Sequence, residues 1–190
     1  MPSKEKTAKP LDMVNFIHPT ALINPGTKIG TGNYFGPFCM VGFPPESRGY
    51  VFEECAPVTI GDNNHFAGHC TIDSGAVIGD NLFMMKHAHV GHDCTVQDDV
   101  TLCTGSVLGG HVTVEKGANI GLNAVVHQRQ VIGAYAMIGM GAAIFEGANV
   151  KPFSKWAVRP AMLIGENTYP IERGLVSDEY LIGQQQMFEG

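Results

Sequence analysis

The stretch from Met84 to Cys94 places His87, His89 and His92 within six residues and sets Asp93 directly after the last of them. Imidazole titrates near neutral pH, so it serves as general base, general acid or metal ligand. Two further histidines stand beside residues of use to such a base: His111 follows Gly109-Gly110, and His127 precedes Gln128. A base beside glycine is what acyl transfer needs. The nucleophile must lose a proton as it attacks a carbonyl, and the oxygen of the tetrahedral intermediate must meet a backbone N–H that no Cβ shields. His92 is the candidate base and Gly110 the candidate amide. Asp93 is the candidate to orient the ring, although neighbours on a strand point to opposite faces. The simpler reading of any single histidine here is an exposed or hydrogen-bonded turn residue.

What positions these residues is a repeat of six. From Ile60 to Val150 every sixth residue, sixteen in all, is Ile, Val, Leu, Phe or Met. A mostly small residue stands two places before each, among them Cys70, Ala76, Ala88, Cys94 and Ser106, and glycine follows at 61, 79, 91, 109, 121, 133 and 139. Neither the helical period of about 3.6 nor a hairpin meander yields a strict six. Short strands that turn a small and then a branched side chain inward, joined by tight turns, give a parallel β-helix, an all-β solenoid. Three hexads make one triangular coil, so residues three hexads apart stack. On that count His69 and His87 stack, His92 lies over Gly110 and His127 over Gly109, with His111 beside Gly110. His92, His111 and His127 then gather along one corner, and His89 leads into it.

The hexad begins earlier, at Ile17, Ile23, Ile29, Phe35 and Val41, and breaks over an excursion loop at 43–57 that carries Pro44-Pro45, Arg48 and Glu53-Glu54. The expected organisation is a flexible tail at 1–14, a β-helix domain at 15–152 and a C-terminal extension at 153–190. Within the extension, Ser177-Asp178-Glu179 reads as the start of a short helix, and Gly183 argues against a long one.

Composition narrows the function. Only 16% of the 190 residues are charged and the net charge is −6, a poor footprint for nucleic acid or an anionic membrane surface. No apolar run approaches the ~20 residues that span a bilayer, and Met1–Met13 lacks the apolar core of a signal peptide. The five cysteines show no CxxC spacing, and Cys39, Cys70 and Cys94 fall at inward positions as buried thiols, which suits a reducing, cytoplasmic compartment.

The hexad resembles that of the hexapeptide-repeat acyltransferases, and the resemblance implies a left-handed coil and a homotrimer. Physics alone leaves the hand open, since parallel crossovers are usually right-handed. The runs Asp80-Asn81-Leu82-Phe83-Met84, His87 through Val96, Gly109-Gly110-His111-Val112, Ala124-Val125-Val126-His127-Gln128 and Ile17-His18-Pro19-Thr20-Ala21 resemble more closely the UDP-N-acetylglucosamine O-acyltransferases of lipid A synthesis. That resemblance, over roughly residues 17–177, implies His92 as general base, Asp93 as its acidic neighbour and Gly110 as the oxyanion amide. It further implies that His89, His111, His127 and Gln128 line a cleft for nucleotide sugar and acyl chain between subunits, and that Asn167 and Arg173 contact the nucleotide. Met140 falls where the family's acyl-chain ruler carries glycine, so a short or medium chain is expected. The implied donor is an acyl carrier protein thioester, met by Lys151, Lys155 and Arg159, with no bound cofactor and no metal.

Three features depart from the family pattern. Asp73 stands where the family has a histidine after Thr-Ile, the 43–57 loop lacks an Asp-x-Lys motif although Arg48 and Tyr50 lie in it, and Gly190 ends the chain where the family runs on into a helical C-terminal domain. Other readings of the same residues are an acetyl-CoA-dependent nucleotide-sugar acetyltransferase, a zinc enzyme like the γ-class carbonic anhydrases, and a binding scaffold without catalysis. The zinc reading would use His87 and His92, but its third ligand would fall at Val51.

Overall fold

The structure, a computed structural model, describes residues 14–45, 55–157, 162–177, 180 and 183. Most of the expected tail, the centre of the excursion loop with Arg48, Tyr50, Val51, Glu53 and Glu54, and Arg159, Asp178 and Glu179 lie outside these residues.

The sixfold pattern is realised as strands mostly two residues long, the first residue facing outward and the second buried. His65–Phe66, Phe83–Met84, Thr101–Leu102 and Asn119–Ile120 stack in parallel in this way. Among the described residues this first face has nine strands, a second has seven from Leu22–Ile23 to Ala143–Ile144, and a third has six from Lys28–Ile29 to Val131–Ile132. The solenoid is left-handed, of about seven turns. Stacked partners stand eighteen residues apart, as Asp80 over Asp62 and Asp98 over Asp80. Only across the excursion does the offset change, Lys28 facing Thr59 and Tyr34 facing His65, after which the register resumes.

The core is one continuous ladder. Phe66, Met84, Leu102, Ile120 and Ile138 are all at most 1% exposed and form one inward column, with Cys39, Cys70, Ala88, Ser106 and Ala124 in a narrower one. Small residues there let the three faces close on each other. Near the N-terminal end the inward position is polar instead. Asn33 and Asn64 are buried, and each side chain closes the turn beside it: Asn33 accepts from Asn64 N at 2.9 Å and donates to Gly61 O at 2.9 Å, and Asn64 accepts from Leu82 N at 2.7 Å. Asparagine can do this because it carries both donor and acceptor.

Each corner needs one residue in the left-handed region, and twelve described residues other than glycine adopt it, among them His69, His87, Asp93, His111, Asn123 and Arg129. Such a backbone costs about 1–2 kcal/mol for a residue with a Cβ, so the stacked hydrogen bonds on either side must hold it.

Beyond Val150 the sequence signature fades while the stacking goes on. Ser154–Ala157 pairs in parallel with Met137–Ile138 and antiparallel with Met162–Glu166, which folds back across the end of the first face. The buried Asn167 amide donates to Tyr135 O at 2.7 Å, and Tyr135 stacks on Phe153, tying the extension to the last coil. One helix there is Tyr169–Glu172, with proline in its first turn and Thr168 bonded to Glu172 at 2.7 Å; beyond Ser177, Tyr180 and Gly183 are also helical, and Tyr180 N donates to Ser177 Oγ at 3.2 Å. Thr-x-Pro ahead of an acidic residue is a start signal that the sequence reading passed over.

Because the core is a ladder, one truncation should open a cavity in it. Leu102→Ala is expected to cost about 2–5 kcal/mol, whereas Thr59→Ala, on the outer face, should stay within about 0.5 kcal/mol. Unfolding by denaturant checks the pair.

Candidate active site

The corner between the second and third faces is built by the turn that links His89–Val90 to Thr95–Val96. His92 and Asp93 occupy it, and Asp93 has φ 57°. Strand alternation would have parted the two side chains. The left-handed turn residue instead swings the carboxylate back, and Oδ2 stands 2.8 Å from His92 Nδ1. A carboxylate can only accept, so Nδ1 carries the proton and Nε2 is the nitrogen with a free lone pair. His111, one coil on, lies edge-on to His92 with ring centres 4.9 Å apart, and its Nε2 is 3.8 Å from the same Asp93 oxygen.

Gly110 fits beneath His92 only because it lacks a side chain. A Cβ there would lie 2.7 Å from Cε1 and 2.8 Å from Cδ2 of the ring, and closer still to Nε2. Next to it His111 N donates to His92 O at 2.8 Å, whereas the Gly110 N–H has no acceptor among the described residues. His92 Nε2 therefore lies over a glycine whose N–H is unspent among the described residues. Behind it the Cys94 thiol donates to Gly109 O at 3.1 Å. Burial, with Asp73 and Asp93 nearby, pushes that thiol up to about 12, so it stays protonated at neutral pH and holds the glycine backbone rather than acting as a nucleophile.

His92 and Gly110 open into a groove of about 370 Å³ along the second face. Met40, Phe43, Pro44 and Pro45, where the excursion leaves the coil, form its apolar wall. His89 lines it too, with Nδ1 2.7 Å from Thr71 Oγ1 and Nε2 3.7 Å from Asp73 Oδ2. Sequence reasoning noted Asp73 only as a departure from a pattern. The signal that joins these residues was available: Thr71 stands eighteen before His89.

The other candidates lie elsewhere. His127 and Gln128 are exposed at the same corner one coil beyond Gly109-Gly110, His127 Nδ1 being 3.1 Å from Gln128 O. Asn167 is turned into its own chain, and Arg173 lies exposed over the Tyr169 ring at 5.3 Å. Met140 is 75% exposed. It sits in the turn between Met137–Ile138 and Ala143–Ile144, at the corner between the first and second faces, so one chain does not bring it to His92. Lys151 is exposed and Lys155 half-buried on the last coil.

A metal set also exists here, though not the one the spacing suggested. His87 stacks on His69 at 4.9 Å on the same corner as Met140, away from His92. Ligand atoms of His92, Asp93 and His111, by contrast, all lie within 4.8 Å of one another. Zinc enzymes use three such ligands and a water.

Neither family models nor curated protein sequences return a match to the chain. Solved structures do. A UDP-N-acetylglucosamine acyltransferase from Bacteroides fragilis is 26% identical, with a TM-score of 0.81 over 88% of this chain and 67% of that one. The UDP-N-acetylglucosamine O-acyltransferase of Moraxella catarrhalis is 25% identical, with a TM-score of 0.70 over 87% of this chain and 80% of its own. The Francisella novicida enzyme of the same name is 26% identical, with a TM-score of 0.71 over 86% and 75%. The chain thus has the left-handed hexapeptide-repeat fold of the UDP-N-acetylglucosamine acyltransferases, and this match supports acyl transfer as its general activity.

Proposed function

We propose that the protein transfers an acyl group from an acyl carrier protein thioester to a hydroxyl or amine of a UDP-N-acetylglucosamine-type nucleotide sugar. The observation that carries this reading is the packing of His92 Nε2 over Gly110, whose N–H has no acceptor among the described residues. The acceptor's O–H or N–H loses its proton to Nε2 as the heteroatom attacks the thioester carbonyl. The negative oxygen of the tetrahedral intermediate meets the Gly110 N–H. Collapse expels the thiolate, which takes the proton back from the imidazolium. Asp93, held on Nδ1, stabilises that imidazolium while it lasts.

A homotrimer completes the site in this reading. The groove is open on its outer side, and the faces that meet at the His92 corner expose Val77, Val107, Val125 and Val131, each at least 36%. A neighbouring copy laid there buries these and walls the groove. His111, His127, Gln128 and Arg173 would then line or reach the nucleotide and acyl cleft, Asn167 instead holding the extension to the last coil, and Lys151, Lys155 and Arg159 would meet the acidic carrier.

A second reading is a metal-dependent hydrolase at His92, Asp93 and His111, favoured by the closeness of their ligand atoms. Release of free thiol from acyl carrier protein and CoA thioesters, with UDP-N-acetylglucosamine present, separates the readings. The general base requires turnover that survives chelation. Short CoA thioesters used in preference to carrier thioesters would favour an acetyltransferase instead.

Three outcomes are expected. His92→Ala should lower turnover by about 10²–10⁴-fold with the fold intact by circular dichroism; near-normal thiol release would move the base elsewhere. Sedimentation should give a trimer, and a monomer with full activity would overturn the intersubunit site. Met140→Gly should shift donor preference towards longer chains, each added methylene gaining about 0.8 kcal/mol where it is buried. Because Met140 and His92 occupy different corners of one chain, that shift also requires a second subunit, so an unchanged chain-length profile removes Met140 as the ruler.

A further inference from the structure

We propose that Cys94 is a positioning residue, its buried thiol holding the peptide between Gly109 and Gly110 with the N–H directed out of the core. The proposal rests on acyl transfer being the activity and says what keeps the oxyanion donor in place. Gly109-Gly110 is the one pair of adjacent glycines in the chain. No Cβ stands on either side of that peptide, so sterics hold its plane less than any other in the solenoid.

Backbone bonds fix what lies before and after it. Gly109 N donates to Val126 O at 2.9 Å, and Gly91 N to Leu108 O at 3.0 Å. On the far side His111 N donates to His92 O at 2.8 Å, and Gly110 O accepts from Arg129 N at 2.9 Å. The peptide between them has no backbone partner at either end among the described residues. Its carbonyl accepts from Cys94 Sγ at 3.1 Å, and its N–H meets no acceptor. A trans peptide is planar, with C=O and N–H antiparallel. Cys94 is fully buried, so a carbonyl drawn onto its sulfur sends the N–H the other way. Turned over, the same peptide would present its carbonyl oxygen to the oxyanion and repel it. Donation to the carbonyl also polarises the amide and strengthens its N–H as a donor.

The thiol stands where this is needed. The same inward position holds Ala76 one coil earlier and Val112 one coil later, both buried and neither able to donate. Burial pushes the Cys94 thiol up to about 12, so its proton stays on at neutral pH. Cys70 makes the same bond at the corner between the first and second faces, its Sγ donating to Met85 O at 3.2 Å. Lys86 follows there rather than glycine, which makes Cys70 a matched control away from the glycine pair.

The test compares Cys94→Ala with Cys70→Ala in the full chain. Alanine fits both places, as Ala76 and Ala88 show in the neighbouring coils. The first readout, ¹⁵N relaxation of the Gly110 amide, needs no activity. Its order parameter should be about 0.85 in the wild type and in Cys70→Ala, and should fall to about 0.6 in Cys94→Ala. The second is thiol release from acyl carrier protein and CoA thioesters with UDP-N-acetylglucosamine present. Cys94→Ala should lower kcat about tenfold and leave KM unchanged, the mark of an interaction made in the transition state. The midpoint of its pH profile should not move, because His92 and Asp93 are intact. Cys70→Ala should change neither constant. A Gly110 amide as rigid in Cys94→Ala as in the wild type, a loss carried by KM alone, or an equal loss of kcat in Cys70→Ala overturns the positioning role. A loosened Gly110 in a protein whose wild type releases thiol from neither donor would keep the thiol's hold on the peptide and sink acyl transfer. Thiol release with Gly110 rigid in Cys94→Ala would do the reverse.

Discussion

Everything in this protein depends on the parallel register that sets each residue over the one eighteen places before it. Backbone bonds run along the solenoid axis, so a side chain's neighbours are fixed by arithmetic rather than by a packing search. The same register dictates what happens at the corners. The second turn residue donates to the coil below, as Asp93 does to Ser74, His111 to His92 and Arg129 to Gly110. At the first turn position, Gly110 keeps its N–H unspent among the described residues. A parallel β-helix therefore supplies a spare amide at this corner, and glycine at 110 is what lets a substrate reach it.

The site shows how much chemistry two carboxylates add to such a frame. Asp93 and Asp73 each stand beside a histidine, but in different ways. Asp93 is in hydrogen-bond contact with His92 and fixes which ring nitrogen is free. Asp73 stands off from His89, which a threonine holds instead. Asp93 is committed to its imidazole, and Asp73 lines the groove beside His89. The buried Cys94 thiol, pushed up by its surroundings, adds nothing reactive and serves the backbone that carries Gly110.

Most of the frame was legible in the sequence because a strict period leaves few solutions. The inward ladder, the stacking of His69 on His87 and the placing of His92 over Gly110 all follow from counting in sixes. The hand did not follow from counting, and came only through likeness to known folds. Counting also misled at Asp93, because strand alternation holds along strands and fails at a residue with φ 57°. The extension was harder for a related reason. Outside the hexad no period exists, so Asn167 bonding to Tyr135 and the strand Met162–Glu166 folding back on Ser154–Ala157 rest on single contacts that carry no pattern. Asn33 and Asn64 were hidden differently: the count of small inward residues has no place for a polar side chain there, and what their amides do is cap the turns.

The excursion between Phe43 and Thr59 has one more consequence. It adds chain at a corner, and the coils on either side still meet in register, with Lys28 opposite Thr59 and Met40 opposite Thr71. Insertions at corners are thus absorbed without turning any later side chain, whereas one added residue within a strand would rotate every column beyond it. Length in this fold varies along two separate axes. Whole coils lengthen or shorten the rod, and corner insertions shape what stands beside the groove. A lineage built on it can exchange the wall made by Phe43, Pro44 and Pro45 while His92, Asp93 and Gly110 stay where the register put them.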